Sequence, residues 1–270
     1  MNITKLTLNK HLLYWLSKVG YLRNRKTLTN LRVLEKGRFF IYNLEGFHIA
    51  SEAFNWYLTK DVLEQEVLNV SCRYYRPKPG DTVVDIGAGL GEECSIYSQM
   101  VGKSGHVYAI EANPTVFRAL SEVTALNHAT NVQLFNIAIN DKRAKVAIED
   151  AHDSYLSASL DNKASQGVTY QVEGLPFAEF CADHSLRHID LLKVNIEGAE
   201  RFMESAFQNP ELTIRNVAIS CHDFRFVNEG NEFFRTKALV SDFLTKAGYE
   251  ICSQQTGKGY VDDWVYGRKK

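Results

Sequence analysis

Three glycines at alternate positions, Gly87, Gly89 and Gly91, enclose Ala88 and Leu90 and have acids on both sides: Asp85 before them, Glu92 and Glu93 after. Glycines so spaced let a backbone turn sharply and lie close to a ligand, offering N–H groups at a helix N-terminus. The spacing is G-x-G-x-G and not the G-x-G-x-x-G of dinucleotide binders, because position 92 is glutamate. Two acids stand where a pyrophosphate would sit on the helix dipole, so the loop suits a cation or a zwitterion. S-adenosylmethionine carries an ammonium, a carboxylate and a sulfonium, and meets that demand better than NAD does.

The loop needs a strand before it and a helix after it. Pro79 and Gly80 lead into the β-branched run Thr82 to Ile86, and a helix from Glu92 to Val101 closes at Gly102 and Gly105. His106 to Ile110 reads as a second buried strand ending at Glu111, with Ala112, Asn113 and Pro114 behind it. A carboxylate at that tip can accept two hydrogen bonds from ribose hydroxyls. Proline at the first helical position starts a helix over 115–126. A third strand, Val132 to Ile139, brings Asn136 to the border of an adenine ring. The cofactor-binding expectation therefore covers Asp85, Gly87, Ala88, Gly89, Gly91 and Glu92 on one side and Glu111, Ala112, Asn113 and Asn136 on the other, with Asn195 from a later strand.

That later strand is Ile189 to Ile196, an apolar run broken by Lys193, which needs a partner or a role there. At its end stand Asn195, Glu197 and Gly198, beside the glycine loop if the sheet is doubly wound. The next strand, Val217 to Ser220, delivers Cys221, His222 and Asp223 to the same rim. Before the loop, residues 3–22 carry a rough helical apolar stripe, 38–42 a short strand with a turn at 43–46, and 51–72 a helix. After it come short strands at 145–148 and 169–172 around a polar loop at 150–167 that could cover the substrate, and a helix at 176–181. A polar loop at 226–231 follows the His222 strand. A helix near 233–247 and two antiparallel strands, 249–253 and 264–267, joined through Thr256 to Gly259, close the chain. The expected domains are an N-terminal extension, 1–76, serving as substrate cap or oligomerisation segment, and a catalytic domain, 77–270.

The blocks Gly80-Asp81-Thr82-Val83-Val84-Asp85-Ile86-Gly87-Ala88-Gly89-Leu90-Gly91, Tyr108-Ala109-Ile110-Glu111-Ala112-Asn113-Pro114 and Ile189-Asp190-Leu191-Leu192-Lys193-Val194-Asn195-Ile196-Glu197-Gly198-Ala199-Glu200 resemble the FkbM family of class I S-adenosylmethionine-dependent methyltransferases. The third block is the family-specific one. The resemblance implies an α/β, Rossmann-like sheet of seven strands with one antiparallel strand in its last hairpin. It also implies S-adenosylmethionine held by Asp85, Gly87, Gly89 and Glu111, and methyl transfer to an oxygen of a sugar, a glycan or a small metabolite. The family usually has aspartate where Asn195 stands, so a role of that aspartate must fall to another residue or be absent.

An alcohol is a poor nucleophile, and a positioned base removes its proton as the new bond forms. His222, oriented by Glu197, is the first choice for that base. Asn195, Lys193 and Asp223 complete the catalytic candidates; the rival readings are a structural His222 and a Glu197 that caps the following helix. Glu197, Asp223 and the Asn195 carbonyl could hold magnesium, an alternative not favoured without the aspartate at 195.

With 31 basic against 32 acidic residues the net charge is −1, so there is no footprint for nucleic acid. Nor does an Asn-Pro-Pro-Tyr motif follow the strand at 189–196, as in many nucleic-acid methyltransferases. A non-catalytic protein that keeps the fold remains an alternative. Five cysteines without a C-x-x-C pair point to a reduced, cytoplasmic setting. No run is long enough for a signal core or a membrane span. The stripe at 3–22 reads as a helix packed on the domain or on a second subunit, with a basic amphipathic membrane-surface helix as the rival.

Overall fold

The structure is a computed structural model and describes residues 10–150 and 168–270. The polar loop expected at 150–167, and the start of the stripe at 3–22, fall almost wholly or partly outside those residues.

The described residues begin with α1 (Lys10–Arg23), a meander of β1 (Leu28–Leu34), β2 (Phe39–Leu44) and β3 (Phe47–Ser51), and α2 (Lys60–Asn69). The helix expected over 51–72 forms only from residue 60. Asn55 prevents an earlier start: its Oδ1 accepts hydrogen bonds from the Leu58 amide and the Tyr21 hydroxyl, while its Nδ2 donates to Ser51 Oγ and the Ala53 carbonyl. A side chain that satisfies local backbone groups in this way competes with helix. Thr59 then caps α2, accepting from the Val62 amide.

From β4 (Thr82–Ile86) onward the chain alternates strand and helix: α3 (Glu92–Val101), β5 (His106–Ile110), α4 (Pro114–Leu126) and β6 (Val132–Phe135). A small second sheet follows, made of β7 (Ile137–Ile139), β8 (Ala144–Asp150) and β9 (Val168–Leu175). The third strand expected over 132–139 is thus two strands in two sheets, broken at Asn136, whose Nδ2 turns away to donate to the carbonyls of Glu111 and Ala112. Next come α5 (Phe177–Asp183), β10 (His188–Val194), α6 (Glu204–Gln208), β11 (Thr213–Ser220) and α7 (Asp223–Glu229). The chain closes with α8 (Lys237–Lys246), β12 (Tyr249–Ser253), α9 (Gly259–Asp262) and β13 (Trp264–Lys269). Residues 226–229 are helical in α7, where a polar loop was expected, and the closing hairpin carries the one-turn helix α9 and not a bare turn.

The main sheet has seven strands in the order β12-β13-β11-β10-β4-β5-β6. All pairings are parallel except those of β13, which runs against both β11 and β12. Val83, Val84 and Ile86 of β4 and Leu191, Leu192 and Val194 of β10 are buried, as continuous apolar strands covered by helices on both faces must be. The strand order reverses at β4, so the carboxyl ends of β4 and β10 flank the crevice where open α/β sheets bind ligands.

The meander packs onto this half of the sheet: Phe39, Ile41 and Ala50 share an apolar cluster with Leu90, Val116, Ala119 and Val123. Arg32 pairs with Glu122, and Arg118 with Glu35, across the same contact. Among the described residues no helix is long and apolar enough to cross a membrane.

Candidate active site at the ends of β4, β10 and β11

Asp85 and Lys193 are register partners on β4 and β10, so both side chains leave the sheet on the same face. Lys193 is buried; its Nζ lies 2.8 Å from Asp85 Oδ1 and 3.0 Å from Glu93 Oε2, and donates to the Gly87 carbonyl at 2.8 Å. Burial alone would lower the pKa of the ammonium, but the charges of Asp85 and Glu93 outweigh it and the value is raised. The second Asp85 oxygen accepts from Cys94 Sγ. Lys193 is therefore enclosed by groups of the loop and positions Asp85 and Glu93; the expectation that it is a catalytic group is corrected by this enclosure.

The loop itself folds inward. The amides of Gly87 and Ala88 both donate to the Ile110 carbonyl, that of Gly91 to the Ala88 carbonyl, and that of Gly89 to Glu111 Oε2. The expectation that these N–H groups face a ligand is thus replaced: those of Gly87 and Ala88 tie the loop to the end of β5, that of Gly89 ties it to Glu111, and that of Gly91 closes the loop on itself. Gly87 has φ +76°, and a Cβ there would lie 1.9 Å from the carbonyl oxygen of Asn195. That glycine admits the chain leaving β10, whose Asn195 amide donates to the Ile86 carbonyl. Asn195 contributes main chain to the crevice and extends the β4–β10 ladder.

Glu111 accepts from the Gly89 amide on one oxygen and from the Asn113 amide on the other, at 3.0 and 2.8 Å. Each oxygen keeps a further lone pair. Burial pushes the Glu111 carboxyl up to about 7 in spite of both amides, and burial with the nearby Glu93 likewise pushes Glu92 up to about 7. Asn113 caps α4, its Oδ1 accepting from the Thr115 and Val116 amides. Ala112 packs against the cluster of Ala138, Ile148 and Val172, and Asn136 pins the Glu111–Ala112 carbonyls. Glu111 and Glu92 are partly exposed carboxylates whose neighbouring cation is already engaged with Asp85 and Glu93. A cationic ligand bearing a diol, such as S-adenosylmethionine, is chemically compatible with these carboxylates and their spare lone pairs.

Past β10 and β11 lies a second ionic cluster. The buried His222 ring has Nδ1 3.0 Å from Glu200 Oε1 and Nε2 3.2 Å from Glu197 Oε1. Burial would lower the imidazole pKa, but the two carboxylates overcome it and raise the value to about 10. The two carboxylates favour the protonated imidazole, which argues against the expected role of His222 as the proton-accepting base. Glu200 is fully buried and also accepts from Thr236 Oγ1 at 2.7 Å and from the Gly198 amide at 2.8 Å. Glu197 holds Arg225 Nη1 at 2.6 Å with its other oxygen, and burial, which would raise its pKa, loses to His222 and Arg225, which lower it. Its φ of +51° is uncommon for a side chain with a Cβ. Arg225 in turn lies over the Phe234 ring at 3.8 Å. Asp223 turns away: its Oδ1 accepts from the amides of Thr236 and Lys237, where it fixes the start of α8. No group of three or more His, Cys, Asp or Glu side chains that could hold a metal ion stands among the described residues.

Glu200, Thr236, Arg225 and Cys94 were absent from the sequence-based site. The i,i+3 spacing of Glu197 and Glu200 was readable; nothing in the sequence singled out Thr236 or Arg225.

The family model of the methyltransferase FkbM domain matches residues 85–251, more than half of the chain. The chain belongs to the FkbM methyltransferase family. The matched span carries Asp85, Glu111, Lys193, Glu197 and His222 together. A second family model, protein-L-isoaspartate(D-aspartate) O-methyltransferase, matches residues 7–144 and ends before β10. The chain is 32% identical to an arsenite methyltransferase of Halobacterium salinarum over 27% of its own length and 20% of that protein. It is 27% identical to a protein-L-isoaspartate O-methyltransferase of Methanococcus aeolicus over 44% of its own length and 55% of that one. It thus spans about half or less of these relatives. An FkbM methyltransferase of Methylobacillus flagellatus superposes with a TM-score of 0.49 at 16% identity, over 77% of this chain and 50% of that one.

Proposed function

We propose that this FkbM-family chain is an O-methyltransferase whose acceptor is a hydroxyl of a sugar, a glycan or another small metabolite. The observation behind this reading is the ionic cluster of Glu197, His222, Glu200 and Arg225 at the ends of β10 and β11, next to the crevice of the glycine loop. The cofactor supplies a methyl group on a positively charged sulfur. The chain must hold the acceptor oxygen in line with that methyl, keep water out and receive the hydroxyl proton. Glu197 is the partly exposed carboxylate of the cluster, and we assign it the hydrogen bond from the acceptor hydroxyl. His222 and Arg225 fix its two oxygens, so it approaches in one orientation, and Glu200 with Thr236 fixes His222. His222, Lys193 and Asp223 are positioning residues in this reading, and Asn195 shapes the crevice through its main chain. Residues 1–76 form an extension that serves as substrate cap or oligomerisation segment in this reading. The near balance of charge supports a small acceptor over a nucleic acid.

A second reading, carboxyl methylation of a protein, has the match over residues 7–144 behind it. That match stops short of Glu197 and His222, which favours the first reading.

The two separate in one experiment. Purified chain is incubated with methyl-tritiated S-adenosylmethionine and either a panel of glycosides and nucleotide sugars or an isoaspartyl peptide, and the products are treated with mild base. A methyl ether survives base and a methyl ester releases volatile methanol. Base-stable label on a hydroxylated acceptor supports the proposal; base-labile label on the peptide supports the alternative. Cofactor binding without transfer to any acceptor would indicate a binding protein that has kept the fold.

A further inference from the structure

Helix α1 has two faces, and both are apolar. Leu13, Ser17 and Tyr21, at i, i+4 and i+8, are buried against the domain. Trp15, Leu16, Val19 and Leu22, on the other face, are 58, 49, 51 and 55% exposed. Such spacing draws one stripe along a helix, and a solvated face normally carries polar groups. The stripe is widened by Trp56 and Tyr57, which are 49 and 63% exposed. Their segment lies against α1: a Cβ on Gly20 would fall 2.4 Å from Trp56 Cβ, and Asn24 Nδ2 donates to the Trp56 carbonyl. Contiguous exposed apolar surface of this kind marks a contact with a partner or a membrane.

The charge around the stripe decides between occupants. The chain has no acid before Glu35, while Lys10, Lys18, Arg23, Arg25 and Lys26 all lie on or next to α1, in a protein whose net charge is −1. Among the described residues of this group, Lys26 alone has an ion pair, with Asp61. Lys18 Nζ rests over the rings of Tyr14 and Trp15 at 5.5 and 5.0 Å, so its stem lies along the apolar face with its charge at the edge. A second copy of the chain, meeting this face through a two-fold axis, would bring lysines and arginines together with no carboxylate on α1 to receive them. A surface of anionic lipid headgroups over an apolar layer complements both features at once. Tryptophan and tyrosine are the side chains enriched at that boundary.

We propose that α1 and the Trp56-Tyr57 shoulder form a peripheral docking surface for anionic lipid bilayers, with Trp15, Leu16, Val19 and Leu22 entering the headgroup boundary and Lys10, Lys18 and Arg23 contacting lipid phosphates. The helix lies in the interface plane; at 14 residues, about 21 Å, it is too short to cross. The docking is independent of the methyl-transfer reading, because it is measured with neither cofactor nor acceptor present.

The test is co-sedimentation of the full chain with vesicles of phosphatidylcholine alone and of phosphatidylcholine with about 30% phosphatidylserine. The chain is expected to pellet with the anionic vesicles only, and to be released as salt rises from about 0.1 M to about 1 M. Emission from Trp15 and Trp56 shifts to the blue on binding, while the buried Trp264 is silent. Trp15→Ser with Leu16→Ser abolishes pelleting, and Lys10→Gln with Arg23→Gln weakens it about 30-fold, at about fivefold for each base removed. These residues are exposed, so circular dichroism and S-adenosylhomocysteine affinity stay unchanged. Three results would overturn the proposal: no binding to either vesicle, equal binding to both, or a dimer seen in analytical ultracentrifugation that the Trp15→Ser, Leu16→Ser change dissolves.

Discussion

The ammonium of Lys193 lies 2.8 Å from Asp85 Oδ1, and the two residues are register partners on the central strands β10 and β4. A carboxylate at the head of a glycine loop is naturally read as a ligand contact, yet this one is fully buried under a lysine from the neighbouring strand. Negative charge near the loop mouth comes instead from Glu92 and Glu111. The ion pair joins the two halves of the doubly wound sheet where their order reverses, so it governs the shape of the crevice.

Replacing Lys193 with methionine leaves Asp85 and Glu93 charged against an apolar strand. Removing one partner of a buried pair typically costs 3–5 kcal/mol. Lys193→Met is expected to lower unfolding stability by about 4 kcal/mol in urea denaturation, with Asp85→Asn added on top restoring part of the loss. A double variant no more stable than the single one would mean that the two side chains are not energetically coupled.

Gly87→Ala tests the contact between the loop and the chain leaving β10. Its φ of +76° disfavours a Cβ, and that Cβ would fall on the Asn195 carbonyl oxygen, which is main chain and cannot rotate aside. A loss of about 3 kcal/mol is expected, with weakened S-adenosylmethionine affinity, because β4 and β10 must separate to admit the methyl. Gly102→Ala, where nothing lies within 4 Å of the added carbon although φ is +63°, measures the cost of backbone strain alone and should be much milder.

Sequence alone was enough for the strands β4, β5, β10 and β11, because each is a continuous apolar run ended by turn chemistry, and for the reversed last hairpin. It failed where a side chain far away in sequence decides the outcome. Ser51 to Leu58 has helical spacing, but Asn55 binds its own backbone and Tyr21, 34 residues earlier. Val132 to Ile139 looks like one strand until Asn136 reaches back to the Glu111 carbonyl. Likewise Glu197 was the only partner the sequence offered for His222; Glu200, which also faces its ring, and Thr236, which donates to Glu200, come from other turns of the chain. Spacing within a segment reveals periodicity, whereas a buried charge network depends on which segments the sheet order brings together.

His222 is predicted to impose a pH dependence on stability. Its value in the fold is about 10 against an ordinary 6.5, so between those limits the native state holds a proton that the unfolded chain has released. Stability then falls as pH rises through that window, after being complete below it. Thermal melts should show the midpoint descending from pH 7 to pH 10. In His222→Asn the midpoint is lower throughout, since Glu197 and Glu200 lose their shared cation, and the descent is shallower. A wild-type midpoint that stays level across the window would place His222 as neutral in the fold and reopen its assignment as a base.

Glu111 and Glu92 give the opposite dependence to ligand binding. Burial pushes both carboxyls up to about 7, so near neutrality each is partly protonated when no cation is bound. A positively charged sulfonium stabilises the ionised forms, and binding must release protons; affinity therefore rises with pH, by at most about tenfold per pH unit for each coupled carboxyl, and levels off above pH 8. S-adenosylhomocysteine lacks the sulfonium charge and should show a weaker slope through the same range. Isothermal titration from pH 6 to pH 8, in two buffers of different ionisation enthalpy, reads both the affinity and the protons released. In Glu111→Gln the slope diminishes and the affinity drops about tenfold or more, because the ribose loses a charged acceptor while the Gly89 and Asn113 amides keep a neutral one. Equal slopes for the two ligands would move the positive charge of the cofactor away from these carboxylates, and with it the reading of Glu92 as its neighbour.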